Sequence, residues 1–312
     1  MRAATIRDGS IAVEDQPDPV PEGNELLVRV RAAGINGADI LQLKGGYPAP
    51  PGSPPDIPGL ELAGEVVGAG RGVTRFETGD RVMAVVGGGG QGELALVHER
   101  AAMPVPEELD WIAAGGVPEA FTTAHDALFT QAGLLAGERL LVHGGAGGVG
   151  TAAIQIAGAL GAQVTATVRR EELRPEVEKL GAKAIDSEGF EENGPYDVIL
   201  ELVGAPNLAG NLKVLETLGR IVIIGIGAGA KAELNLRHMM TKRARIMAST
   251  MRARPLEQKA VASRAIEREV LPLFESGDLD VPVAATFPLE EAESAYERFA
   301  EGGKFGKIVL TS

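Results

Sequence analysis

Three glycines define the chemistry open to this chain. Gly145, Gly147 and Gly150 stand in G-x-G-x-x-G spacing inside residues 139–161, RLLVHGGAGGVGTAAIQIAGALG. An apolar run from Leu140 to His143 precedes them, and a helical pattern follows at once. In that context one glycine turns the chain tightly, one lets backbone approach a pyrophosphate, and one lets the helix pack on the strand. The helix N-terminus adds free N–H groups and a positive dipole end. Residues Gly145, Ala146, Gly147, Gly148, Val149 and Gly150 therefore read as a dinucleotide cradle. The competing reading is an ordinary glycine-rich β–α turn. With 42 glycines in the chain, spacing alone is weak, and the strand–helix context carries the assignment.

The next strand ends near Val168, where an NAD site usually places an acid on the ribose hydroxyls. Here Arg169 and Arg170 follow. Guanidinium groups suit a 2′-phosphate through charge-assisted bonds, so the pair points to NADPH over NADH. Glu171 and Glu172 come next and read as acids favouring a helix start.

The elements that must position these residues fall into two patterns. Residues 1–118 alternate short apolar runs (Ala3–Ile6, Glu25–Ala32, Glu61–Val67, Arg81–Val86, Glu93–Val97) with Gly, Pro and Asp. That spacing suggests a barrel or sandwich. A Pro/Gly-rich loop, YPAPPGSPPDIPG, runs from Tyr47 to Gly59. From Pro118 onward, helical stretches (Ala120–Leu135, 148–161, 171–180, 206–218) alternate with strands (139–143, 163–168, 183–186, 197–202, 220–225, 245–250). Such alternation means βαβ units and a doubly wound parallel sheet. A long helix over Pro255–Ser276, a turn, a helix over Glu290–Glu301 and a strand at Lys307–Thr311 complete the chain. The tail is too short to fold alone and is expected to return to the first domain. The expected domains are 1–118 with 256–312, and 119–255.

Composition narrows the function classes. The chain has 312 residues, a net charge of −13 and no cysteine. The acidic balance disfavours nucleic-acid binding. A basic cluster (Arg237, His238, Lys242, Arg243, Arg245, Arg252, Arg254) reads as the solvated ends of a helix and a strand. Thiolate metal sites, cysteine nucleophiles and disulfides are excluded. No stretch has the length of a membrane span, and the charged N-terminus has no signal-peptide core. The expectation is a cytoplasmic protein with no membrane partner. No G-x-S-x-G elbow is present, and no histidine or carboxylate pair has metal spacing, so no metal is expected.

Five ordered blocks resemble the medium-chain dehydrogenase/reductase superfamily. They are AAGINGADILQLKGGYP (32–48), PGLELAGEVVGAG (58–70), VPEAFTTAHDAL (117–128), HGGAGGVGTAAIQIA (143–157) and GKFGKIVL (303–310). In detail they are similar to its zinc-independent quinone oxidoreductase, or zeta-crystallin-like, branch. The resemblance implies a GroES-like β-barrel catalytic domain with a Rossmann cofactor domain. Zinc-dependent members carry a Cys and a His where this chain has Asn36 and Leu60. Without a Lewis acid, conjugated acceptors become the easier substrates. The implied activity is metal-free, NADPH-dependent reduction of quinones or other conjugated carbonyls. An enoyl-thioester or alkenal double-bond reductase is the alternative, and an NADPH-binding protein with little turnover is an alternative of another class.

The resemblance also assigns roles. Asn36, Asp39 and Tyr47 match the lining of the substrate–nicotinamide cleft. Thr123, Thr250, Arg252, and Gly225, Ile226 and Gly227 match cofactor neighbours, and Lys304 lies in the tail segment that reaches the cofactor in relatives. Tyr47 reads either as a proton donor or as a packing residue, and Asn36 either as a carbonyl ligand or as a turn residue. Asp39 reads as an orienting group, and His143 as a satisfied strand-end histidine. Gln91 stands where relatives often have an aromatic residue, which leaves the local lining open. Relatives pair the strand corresponding to Ala244–Thr250 across a two-fold axis, which implies a homodimer.

Overall fold

In the computed structural model, which describes residues 1–312, the chain forms two compact units. One comprises Met1–Thr122 and Met251–Ser312; the other is Thr123–Thr250. These boundaries differ from the sequence expectation by a few residues at each crossing. The first crossing falls within the helix Pro118–His125. At the second, Met251 packs with Val85 and Ala262, and Arg252 is buried, so both side chains belong to the first unit.

The first unit opens with an antiparallel pair, β1 (Arg2–Arg7) and β2 (Ser10–Asp15). Its main sheet is built on β3 (Glu25–Ile35). β3 pairs with β4 (Glu61–Ala69), and β4 with β5 (Arg81–Val85). Along its other edge β3 takes β6 (Leu94–His98) over Glu25–Arg29. β7 (Ala102–Pro104) ends the sheet beyond β4, on β5. Leu26, Val28 and Val30 recur at period two and meet Leu62, Val66, Val82 and Ala84 in a buried core. Alternation of this kind drives one face of a sheet inward.

The second unit is a six-stranded parallel sheet. Its strands are β8 (Arg139–Val142), β9 (Gln163–Thr167), β10 (Lys183–Ile185), β11 (Tyr196–Glu201), β12 (Leu215–Ile223) and β13 (Arg245–Ala248). Their spatial order is β10-β9-β8-β11-β12-β13. Leu140–Val142 and Val198–Leu200 are buried throughout, as befits central parallel strands covered on both faces. The strand order reverses between β8 and β11, where doubly wound sheets open their ligand crevice.

The tail adds β14 (Val283–Pro288) and β15 (Lys307–Thr311) to the first unit's sheet. β15 pairs antiparallel with Ala32–Ile35 of β3 and parallel with β14. No helix is long and apolar enough to cross a membrane.

Several elements differ from the sequence reading. The helix expected over 206–218 stops at Val214, and Leu215 is already extended. Leu218 then takes a positive φ of 68° inside β12. The helix expected over Ala120–Leu135 is α-helical only to His125 and continues as a π-helical turn over Asp126–Gln131. The long helix expected to Ser276 breaks at Val270, two residues before Pro272. The sequence reading missed β2, β7, β14 and the helix Gly37–Leu43.

Candidate active site

The glycine loop leaves β8 and leads into the helix Gly148–Ala159, with Gly147 as its N-cap. The tight turn falls on Gly144, at φ 70°, one residue before the motif. A Cβ on Gly150 would lie 2.4 Å from the Gly144 carbonyl oxygen, and one on Gly145 2.7 Å from Ala166 Cβ. On Gly147 the nearest atom would be the Gly144 carbonyl oxygen, at 3.5 Å. Two glycines thus close the loop upon itself and upon β9, while the third keeps an open face at a helix N-terminus. That is the geometry a pyrophosphate needs.

A buried polar chain supports this loop. Thr167 Oγ1 accepts the Gly144 N–H at 3.2 Å and lies 3.2 Å from His143 Nδ1. His143 Nε2 lies 2.7 Å from Asn211 Oδ1. Asn211 Nδ2 donates to Glu201 Oε2 at 2.7 Å. Glu201 Oε1 accepts the N–H groups of Val203 and Gly204. The donors are consistent with a neutral imidazole protonated on Nε2. Burial pushes the His143 pKa down against the pull of Glu201. The loops after β8 and β11 are thereby tied together.

The other residues expected at the cofactor in this unit follow strand ends on the same side of the sheet. Arg169 and Arg170 follow β9 and are exposed; Arg170 lies 3.7 Å from Glu172. Gly225, Ile226 and Gly227 follow β12. A Cβ on Gly225 would lie 2.1 Å from the Leu202 carbonyl oxygen, so this turn packs backbone to backbone on the loop after β11. Thr250 follows β13 and is exposed, and Thr123 is buried on the helix Pro118–His125.

In the first unit, Asn36 precedes the helix Gly37–Leu43. Asp39, at its N3 position, accepts the Asn36 N–H at 2.8 Å and the Gly59 N–H at 3.0 Å. Full burial pushes the Asp39 carboxyl up to about 6 against these two bonds. Asp39 thus locks two loops by their backbones. The Asn36 amide is held on both sides: Nδ2 donates to Glu61 Oε1 at 2.9 Å, and Oδ1 accepts from Lys307 Nζ at 2.7 Å. Glu61 Oε2 accepts the Glu119 N–H at 2.7 Å.

Tyr47 is half-buried. Burial and then Glu119 raise its pKa, and Arg252 opposes them. Arg252 is only 1% exposed, which overturns its reading as a solvated member of the basic cluster. Arg237, Arg243 and Arg245 of that cluster are exposed. The Arg252 guanidinium donates to the Gly87 carbonyl at 2.7 Å, the Tyr47 carbonyl at 2.8 Å and Gln42 Oε1 at 2.7 Å. Lys304 Nζ lies 4.4 Å from the Phe299 ring centroid and donates to the Gly306 carbonyl. Burial, with Lys307 and Arg298 nearby, lowers the Lys304 pKa to about 8. Gln91 is buried and accepts the Tyr296 hydroxyl at 2.8 Å.

Sequence reasoning missed Glu61, Lys307 and Gln42 as partners of the candidate residues. Only Asp39 left a readable signal, an Asn-x-x-Asp capping spacing at 36–39. Glu61 and Lys307 converge from distant strands and have no local spacing.

A mixed sheet built on β3, joined in sequence to a doubly wound sheet with a glycine-rich β–α loop, is the architecture of an oxidoreductase of the medium-chain dehydrogenase/reductase family, and the chain belongs to that family. The family model "Alcohol dehydrogenase GroES-like domain" matches residues 22–107, and "Zinc-binding dehydrogenase" matches 180–310. The chain is 33% identical to a quinone oxidoreductase of Mus musculus over 94% of its own length and 90% of that protein. It is 31% identical to an acryloyl-coenzyme A reductase of Metallosphaera sedula, covering 96% of each. An alcohol dehydrogenase superfamily protein from Novosphingobium aromaticivorans has a similar structure, with a TM-score of 0.88 and 29% identity over 100% of this chain and 99% of that one.

Proposed function

We propose that this protein uses NADPH to reduce quinones or other conjugated carbonyls without a metal. The observation that carries the reading is the open face at Gly147 between two sterically closed glycines, at the N-terminus of a twelve-residue helix. Gly145 to Gly150 would hold the pyrophosphate, Arg169 and Arg170 the 2′-phosphate, and Thr123, Gly225–Gly227 and Thr250 would flank the rest. When bound, NADPH supplies a hydride to an electron-poor carbon of the acceptor.

The donor set at Asn36 does not suit zinc. Asn36 offers an amide already held by Glu61, Leu60 has no donor, and the Lys307 ammonium stands 2.7 Å from Asn36 Oδ1. A cation therefore already faces both oxygens at this place, Asn36 Oδ1 and Glu61 Oε1. No group of three His, Asp or Glu side chains is placed to hold a metal. With no Lewis acid, the acceptor must itself delocalise the charge that arrives with the hydride. Similarity to a quinone oxidoreductase supports this substrate class. Similarity to an acryloyl-coenzyme A reductase supports conjugated thioesters as the second reading.

Within this reading Tyr47 donates a hydrogen bond or a proton to the acceptor carbonyl, Asn36 and Asp39 hold the surrounding backbone, and Lys304 belongs to the segment beside the cofactor. A phenol of raised pKa remains protonated at neutral pH, as a donor must. We further propose a cytoplasmic homodimer formed through β13, which is paired on one side only. Light scattering at micromolar concentration tests the dimer, and a monomer would remove it.

The deciding experiment is an acceptor panel with NADPH and with NADH, before and after dialysis against a chelator. It includes quinones, short enones and enoyl thioesters, and is followed by loss of reduced-nicotinamide absorbance. Chelator-resistant turnover that favours NADPH is the expected result. Bound NADPH with no acceptor turned over would favour a binding protein instead.

A further inference from the structure

We propose that Arg252 is a positioning residue for Tyr47, fixing the loop that carries the phenol and placing a positive charge beside its ring. The inference rests on the assignment of Tyr47 to the acceptor carbonyl. Three segments meet at this one side chain: the Tyr47 carbonyl, the Gly87 carbonyl after β5, and Gln42 near the end of the helix Gly37–Leu43. The guanidinium carbon lies 5.3 Å from the Tyr47 ring centroid, within range of a favourable cation–ring contact.

The charge itself is informative. All three hydrogen-bond acceptors of Arg252 are neutral, and no carboxylate pairs with it. Burying a cation without a contacting anion is costly. A neutral donor would hold carbonyl groups at lower cost. A cation kept here fits a place where negative charge develops, and the Tyr47 phenol is the acidic group stacked on it. The other ionisable groups that bear on the pair are Asp39, Glu119 and Tyr296, which favour the charged arginine, with Glu119 also opposing ionisation of Tyr47, and Lys259, whose own charged form Arg252 disfavours. Arg252 is therefore the group that makes Tyr47 a better acid. It also takes Arg252 out of the set expected to contact NADPH, because its nitrogens serve these loops.

The test uses the full-length protein with R252M, R252K, Y47F and the double variant Y47F/R252M. The chain has three tyrosines, so subtraction of Y47F isolates the ultraviolet titration of Tyr47. In R252M that transition moves to higher pH; in R252K, which keeps the charge, it stays near the parent position. For an enone, kcat falls about tenfold in R252M, a fraction of what general acid catalysis is worth, while the KM for NADPH is unchanged. Added to Y47F, R252M causes no further loss. An unshifted Tyr47 transition in R252M, a rise in NADPH KM, or a full additional loss on Y47F would each overturn the proposal. Should R252M fail to fold, R252K decides: its kcat falls because lysine cannot span three acceptors, and that loss vanishes in a Y47F background. Full kcat in R252K would then overturn the proposal. If Y47F alone reduces enones at the parent rate, the acid role of Tyr47 fails, while the titration still reads whether Arg252 acts on the phenol.

Discussion

Lys307 Nζ lies 2.5 Å from Glu61 Oε1, and both side chains are buried. This pair links β15, at the end of the chain, to β4 and fixes the amide of Asn36 through both partners. Gly34 leaves room for it, since a Cβ there would lie 2.2 Å from Glu61 Oε1. The first unit's sheet therefore closes around a charge pair at the residue proposed to border the acceptor.

Breaking the pair should be costly. Lys307→Met leaves the Glu61 carboxylate buried without its cation, and unfolding by urea should show a loss of about 3–5 kcal/mol. The double variant Lys307→Met/Glu61→Gln should recover more than half of that loss, because the uncompensated charge is gone. No recovery would mean that the lysine acts through packing alone.

The strands of the first unit were legible because apolar runs there alternate between turn residues. The parallel sheet was legible because its strands alternate with helical stretches. The helix expected to end at Leu218 was misread because Leu215–Leu218 continues the apolar helical spacing; tertiary pairing of Leu215 with Tyr196 overrides that local pattern. β14 was hidden by its mixed burial, since only alternate residues turn partly inward. Arg252 was misplaced, and Lys307 missed, for another reason. A basic residue in sequence reads as solvent-facing, and only the fold brings neutral carbonyls or a buried carboxylate to it.

Asp39 predicts a pH dependence of stability. Its carboxyl is raised to about 6 by burial, against about 3.9 in an unfolded chain. The folded protein keeps this proton between those values, where the unfolded chain has lost it. Its contribution is complete below pH 4 and is lost as pH rises through 6, by on the order of 2–3 kcal/mol. Asp39→Asn should flatten that slope in a series of thermal melts. An unchanged slope would place the titration elsewhere.

The glycines of the loop should separate by function. An alanine at Gly150 drives a Cβ to 2.4 Å from a backbone oxygen, so Gly150→Ala should destabilise the second unit and abolish NADPH binding together. Gly147 has φ −80° and ψ 166°, which alanine adopts freely. Gly147→Ala should melt within about 1 kcal/mol of the parent, in line with substitutions away from packed features, while its NADPH affinity by calorimetry falls. Unchanged affinity would remove Gly147 from the proposed cradle.

Arg169 and Arg170 give the sharpest test of cofactor choice. Val168 donates to the Ile185 carbonyl and Arg174 Nη2 lies 2.5 Å from Asp186 Oδ2, so the backbone at this strand end is anchored by other residues. Arg169 and Arg170 are exposed, and the Arg170–Glu172 contact at 3.7 Å joins two solvent-facing side chains. Such a pair is worth little and leaves the guanidinium free to turn to a phosphate. Charge-assisted bonds to that phosphate contribute about 1.5–3 kcal/mol each, and exposure brings the effect toward the lower limit. Replacing both arginines by alanine should lower kcat/KM for NADPH about a hundredfold and leave that for NADH, which has no 2′-phosphate, nearly unchanged. The NADPH loss should shrink as salt is raised, because screening already weakens the parent's contacts. Equal losses with both cofactors would show that the arginines support the strand end rather than the 2′-phosphate.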